Sequence, residues 1–175
     1  MNFYTGQNLK VFKKLSNDRY SLPNNDIIHL TQDSLNNIWI STRQGMVTYD
    51  EKHGIFIPIN QNIIYSSLCV KGGILFGSEN RIYKYDYQKR SFKSVCINPQ
   101  GDTDNDTTKY RVQRIIAFSE KEVLIATRRD GIYILNHQTM QLRHFFSCSN
   151  NILQGACLSS NGCIYLSFWG EGLFC

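Results

Sequence analysis

One phrase occurs four times in this chain. It reads IWISTRQGM at Ile38–Met46, ILFGSENRI at Ile74–Ile82, VLIATRRDGI at Val123–Ile132 and IYLSFWGEGL at Ile164–Leu173. Each copy is an apolar strand, a small residue, a polar turn and a second apolar strand. The anchors Trp39, Leu75, Leu124 and Tyr165 lie 36, 49 and 41 residues apart. A spacing near 40 with several short strands per period predicts a β-propeller, in which each blade is a four-stranded antiparallel sheet. That architecture moves the search for function from an internal active site to a face built of loops.

The first unit shows the pattern best. Ile27–Leu30, Ile38–Ser41, Met46–Tyr49 and Ile55–Ile59 read as strands A to D, with polar turns between them. Alternate residues of a strand face opposite ways. One face of strand B carries Ile38 and Ile40, then Ile74 and Phe76, Val123 and Ile125, Ile164 and Leu166. The other carries a large residue and then a small one: Trp39 and Ser41, Leu75 and Gly77, Leu124 and Ala126, Tyr165 and Ser167. Both faces are apolar, as in a sheet held between two neighbours. The small residue lets the adjacent blade come close. Thr42, Ser78 and Thr127 then offer a hydroxyl to the turn, where the fourth copy has Phe168.

The fold expected is all-β: about four blades' worth of four-stranded sheets, as a fragment of a larger propeller. Its parts are a lone D strand at 8–13, blades at 26–60, 64–97 and 111–147, and a partial blade at 151–175. A polar insertion at 98–110 joins the second blade to the third. A competing arrangement has the strand at 8–13 complete the last blade and close a four-bladed ring, which would remove open sheet edges.

Composition narrows the function. The chain is 42% hydrophobic and 13% aromatic, which fits strands. No apolar run is long enough for a membrane helix, and the first residues lack the pattern of a signal peptide. The net charge of +5 is spread along the chain. No basic block interleaved with aromatics points to nucleic acid. The six cysteines show no metal-ligand spacing, and buried free thiols are expected. Cys157 and Cys163 flank one hairpin turn and could pair in an oxidising compartment. Asp102, Asp104 and Asp106 begin like a calcium loop, but Thr107 and Gln113 stand where that loop needs Gly and Glu, so no metal is expected. No nucleophile elbow, phosphate loop, zinc-protease or dinucleotide motif occurs, so neither an enzyme nor a cofactor is expected.

The stretch QDSLNNIWISTRQGMVTYD at Gln32–Asp50, with SLPNNDI before it, resembles the two-component regulator propeller repeat. The family pattern is roughly Asp-Ser-x-Gly-x-(Leu/Ile)-Trp-Ile-Gly-Thr, a short turn, then Gly-Leu-x-x-Tyr-Asp. Asn36, Ser41 and Met46 depart from it. The other copies match mainly in hydrophobic pattern. The resemblance implies the periplasmic sensor region of a hybrid histidine kinase that responds to oligosaccharides. It also implies a homodimeric parent protein, with the remainder of that sensor as partner. The kinase itself would lie in a separate domain. A free-standing propeller acting as a protein-interaction scaffold is the alternative, and a propeller-type glycan lyase or hydrolase a more distant one.

In a propeller the D-to-A and B-to-C connections share one face, which is the natural binding surface. By this reading it gathers Arg43 and Gln44, Glu79, Asn80 and Arg81, Arg128, Arg129 and Asp130, and Trp169 and Glu171, with the 98–110 insertion projecting beside them. Arg suits carboxylate or sulfate groups, and Trp offers a flat surface to a sugar ring.

Overall fold

A computed structural model describes residues 2–4, 6, 9–98, 108–148 and 151–175. All their regular structure is strand. The chain forms two compact units, residues 1–64 and 65–175.

In the first unit, β1 (Asn2–Tyr4) pairs with β2 (Leu9–Val11). A four-stranded sheet follows in chain order: β3 (Ile27–Gln32), β4 (Ile38–Thr42), β5 (Gly45–Asp50) and β6 (Ile55–Asn60). Its core is Phe12, Leu22, Ile40, Val47 and Phe56. The Phe12 ring meets those of Tyr49 and Phe56 edge-on, each at 5.2 Å.

The turn between β3 and β4 is built on a buried carboxylate. Asp33 is only 4% exposed. Its Oδ1 accepts the amides of Leu35 and Asn37, and its Oδ2 accepts Asn37 Nδ2 and Trp39 Nε1, all at 2.8–2.9 Å. Burial alone would push this carboxyl up, but the four hydrogen bonds outweigh it and hold the group below its ordinary value. Asn36, at the family's first glycine position, has φ of 64°. Asn is among the few residues that enter the left-handed region readily.

The second unit holds three sheets. The first contains β7 (Ser66–Val70), β8 (Gly73–Gly77), β9 (Arg81–Asp86) and β10 (Ser91–Cys96). The next contains β11 (Val112–Ala117), β12 (Glu122–Thr127), β13 (Ile132–Asn136) and β14 (Gln141–Phe146). The last contains β15 (Leu153–Leu158), β16 (Ile164–Phe168) and β17 (Gly172–Phe174). Strand β12 shows the expected two-sided burial. Val123 and Ile125 enter a cluster with Leu75 and Ile82, while Leu124 and Ala126 enter another with Leu153 and Leu166.

The recurrent small residue has the role its position suggests. A Cβ on Gly77 would come within 2.3 Å of Val112 Cγ1 in the next sheet. Backbone bonds tie neighbouring sheets at the same level: Val112 N donates to Ser78 O at 2.9 Å, and Leu153 N donates to Arg128 O at 2.8 Å. In the first unit, Ser41 Oγ accepts the Ile64 amide at 2.7 Å.

Three expectations change. The strand expected alone at 8–13 is β2, and it pairs with β1. A free strand edge takes the nearest partner, and Gly6, at φ of 88°, lies in the turn that folds β1 back. Arg81, expected in a turn, is the first residue of β9 and pairs with Cys96. The six cysteines are free thiols, but Cys69, Cys157 and Cys175 are exposed rather than buried. The first two lie close to A-to-B turns and the third just past β17, away from the packed middle of the sheets. Most of the 98–110 insertion, including the three aspartates, lies outside the described residues.

Candidate ligand-binding loops

Two of the turns between strands B and C, after β4 and β12, are closed by the hydroxyl that ends strand B. Thr42 Oγ1 donates to Gly45 O at 3.0 Å and accepts the Gln44 amide at 3.1 Å. Thr127 Oγ1 donates to Gly131 O at 2.8 Å and accepts the amides of Asp130 and Gly131 at 3.2 and 2.9 Å. A β-branched hydroxyl can do both at once and so fixes a short turn. Such a turn presents its intervening side chains at a set angle.

In the first unit, Arg43 Nε meets Asp26 Oδ2 at 3.0 Å, with both side chains about two-thirds exposed. Gln44 Oε1 accepts Lys14 Nζ at 3.1 Å. Gln44 also lines a cavity of about 400 Å³ with Lys14, Arg19, Leu22 and Met46.

In the second unit, B-to-C turns meet D-to-A connections. Arg111 grips Glu79 with two parallel bonds, Nε to Oε2 at 3.1 Å and Nη2 to Oε1 at 2.9 Å. Tyr65 Oη donates to the same Oε1 at 2.5 Å, and the Arg111 guanidinium lies 4.5 Å from the Tyr65 ring centre. Arg128 donates from its backbone N to Arg111 O and from Nη1 to Thr108 Oγ1, at 2.8 and 3.0 Å. Arg129 N donates to Lys109 O at 3.0 Å. Lys109 Nζ lies 3.4 Å from Asp130 Oδ1, while Tyr133 Oη donates to Asp130 Oδ2. Lys109, Arg111, Arg128 and Arg129 set four positive charges against the two of Glu79 and Asp130. An excess of guanidinium forks suits carboxylate or sulfate oxygens.

Trp169 and Glu171 join this network through the connection before β15. Trp169 N donates to Ile152 O at 2.9 Å, and Asn151 Nδ2 donates to Glu171 Oε2 at 2.5 Å. The next residue, Leu153, is the one bonded to Arg128 O. Trp169 is 71% exposed, so its indole face is open. Glu171 also lines an apolar cavity of about 400 Å³ with Phe145, Phe146, Phe168 and Phe174.

The structure thus links Glu79, Arg128, Arg129 and Asp130, and attaches Trp169 and Glu171. Asn80 belongs to the scaffold: its Nδ2 donates to Asn98 O and its Oδ1 accepts Asn98 N, at 3.1 and 3.0 Å. Arg81 points to Ser94 Oγ at 3.4 Å on β10 and does not enter the network. Sequence reasoning missed Tyr65, Lys109 and Arg111. Each sits in the few residues before a strand A, the same position as Asp26, and that shared position was the available signal.

Residues 21–44 match the model of the two component regulator propeller. The matched span contains the Asp33 turn, Trp39 and the Thr42 cap. No curated protein matches the chain. Among solved structures, the chain is similar to the extracellular domain of a hybrid two component system from B. thetaiotaomicron. The TM-score is 0.72 at 18% identity, over 97% of this chain and 23% of that one. It is also similar to virginiamycin B lyase from Staphylococcus aureus, with a TM-score of 0.62 at 16% identity, over 84% and 51% of the two chains. The WD40 domain of Neurospora crassa Pan2 gives 0.61 at 11% identity, over 82% and 44%. The chain spans under a quarter of the length of the B. thetaiotaomicron domain. An extracellular domain, a lyase and a WD40 domain share one architecture here, so the likeness establishes the β-propeller fold.

Proposed function

We propose that this chain is a segment of a ligand-sensing propeller in a hybrid two-component system, lying outside the cytoplasmic membrane. The observation that carries this reading is the repeat at residues 21–44, set in a fold that follows a two-component extracellular domain over 97% of the chain. Its task is to bind and pass the event on through protein contact, with phosphoryl chemistry left to a separate kinase domain of a dimeric parent.

The ligand we propose is an anionic oligosaccharide, held on the loops around Arg128, Arg129 and Trp169. The excess of guanidinium groups supports an anionic ligand over a neutral one, and the exposed indole offers a flat face to a sugar ring of either kind. The test is calorimetric titration of the 175-residue chain with uronate-containing, sulfated and neutral oligosaccharides. Acidic sugars should bind, and binding should weaken as salt is raised. Arg128→Ala, Arg129→Ala and Trp169→Ala should each weaken it roughly tenfold, a loss of about 1.4 kcal/mol. Binding untouched by all three substitutions would rule out this face. Binding of neutral sugars alone would rule out the ligand class.

A further inference from the structure

We propose that the cavity in the first unit is a second binding site, and that it takes a small aliphatic carboxylate. It measures about 400 Å³ and lies between the connection from β2 to β3 on one side and the start of β5 and the end of β6 on the other. That volume is within the range of small-molecule sites, roughly 300–1,000 Å³. Every residue that lines it belongs to the first unit, so the inference does not rest on the sensor reading or on the loops around Arg128.

Both walls are fixed by the chain's own bonds. The buried Ser21 donates from Oγ to Asp18 O at 2.8 Å and accepts the Leu15 amide at 3.0 Å, which folds residues 15–21 into a compact loop. Phe56 N donates to Tyr20 O at 2.9 Å and ties that loop to β6. Opposite, Gly45 has φ of 126°, and a Cβ there would stand 2.5 Å from Asn60 O, so the B-to-C turn and the end of β6 are in contact. The β5–β6 ladder skips a residue at this point, pairing Met46 with Asn60 and Val47 with Pro58. Consecutive residues of a regular strand face opposite ways. The bulge at Ile59 lifts that rule, and Pro58 and Ile59 both line the cavity. The buried Leu22 and Met46 carry its apolar surface down to the core.

The lining sets the ligand class. Among the described residues that line the cavity none is aromatic, so a sugar ring finds no flat partner here. Leu22, Met46, Pro58 and Ile59 offer an aliphatic wall instead, suited to a short alkyl chain. The charged residues of the lining are Lys14, Arg19 and Asp18. Neutral neighbours hold both cations. Lys14 Nζ donates to Gln44 Oε1 at 3.1 Å, and Arg19 Nη2 donates to Tyr20 Oη, with the guanidinium 4.6 Å from the Tyr20 ring centre. Asp18 Oδ1 accepts the Tyr20 amide at 2.9 Å. Two positive charges against one leave a single charge to balance. A monocarboxylate matches it, and a phosphate dianion exceeds it.

The test is an NMR titration of the isotope-labelled 175-residue chain with hexanoate, hexanamide and acetate. Hexanoate should move the amide signals of Gln44, Met46, Ile59 and Gln61 along a saturating curve, with a Kd on the order of 1 mM. Hexanamide keeps the alkyl chain and loses the charge; acetate keeps the charge and loses the chain. Each should bind at least about tenfold more weakly. Lys14→Gln and Arg19→Gln should each weaken hexanoate binding several-fold. Ile59→Trp, which fills the space, should abolish it while the spectrum stays that of a folded chain. Lys93→Gln, a charge loss in the other unit, should leave it unchanged. Signals that never saturate with hexanoate, or equal binding of hexanamide or of acetate, would overturn the ligand class. Hexanoate binding that survives both charge substitutions would overturn the site, even where Ile59→Trp fails to fold.

Discussion

The turn between β3 and β4 and the turn between β15 and β16 have the same backbone and different chemistry. In the first, Asp33 N donates to Asn37 O and Asn36 N donates to Asp33 O, both at 3.0 Å. In the second, Ser159 N donates to Cys163 O and Gly162 N donates to Ser159 O, at 2.9 and 3.0 Å. Asn36 and Gly162 take the same left-handed position, with φ of 64° and 86°. The first turn adds a buried carboxylate with four hydrogen bonds, one of them to the indole of Trp39. The second has a serine whose hydroxyl donates to Cys163 O at 3.0 Å, and Tyr165 stands where the indole would be. Backbone bonds are enough to close such a turn. The charged anchor sets how firmly it is held, and it gives the first copy its recognisable sequence.

The comparison can be broken by removing the anchors. Asp33→Ala should cost about 2–3 kcal/mol, because it strands the buried Trp39 N–H and removes the acceptor of the Leu35 and Asn37 turn amides. Ser159→Ala should cost less than about 1 kcal/mol. Equal costs in urea unfolding would show that the carboxylate adds nothing to the shared backbone.

Acid sharpens the same contrast. The folded Asp33 carboxyl is held below the ordinary 3.8, so its contribution is present above that value and fades as pH falls through the folded value. Asp50 and Asp86 act in the same direction, through bonds to His53 and to the Lys89 amide. Asp33→Asn should therefore flatten the loss of stability below about pH 4, measured by unfolding across a pH series. An unchanged slope would place acid sensitivity in the exposed turns instead.

The smallest effects concern the left-handed residue. Asn36→Val should cost about 1–2 kcal/mol. Asn36→Gly and Gly162→Asn should each lie near zero, since both residues enter this region readily. A large penalty for Gly162→Asn, seen as a drop in melting temperature, would mean that the two turns differ in shape as well as in side chains.

The strand pattern was legible because burial on both faces of strand B leaves a period of two with a small residue at its end. Gly77 and Val112 show why that residue must be small. The turn hydroxyls of Thr42 and Thr127 were legible for a similar reason, as one atom serves several local bonds. The pairing of β2 with β1 was not, because a three-residue strand carries too little periodicity to declare its partner. The site was legible only in part. Turn composition marks Arg128 and Trp169, but the grip of Arg111 on Glu79 joins residues 32 positions apart. Nothing local predicts that meeting. Arg81 misled for the opposite reason, since a charged residue at the start of a strand reads as part of the turn before it.

The bonds that carry one sheet to the next, Val112 N to Ser78 O and Leu153 N to Arg128 O, involve no side chain. A connector made of peptide groups reads the same whatever residues flank it. A copied segment of one repeat length could therefore be spliced into such an array and find its neighbours without matched mutations on either side. The close approach at positions like Gly77, and side-chain ties such as that of Arg111 to Glu79, would still constrain the newcomer. Arrays built this way can lengthen by duplication while their loops diverge, and the four unequal copies in this chain have the look of that history.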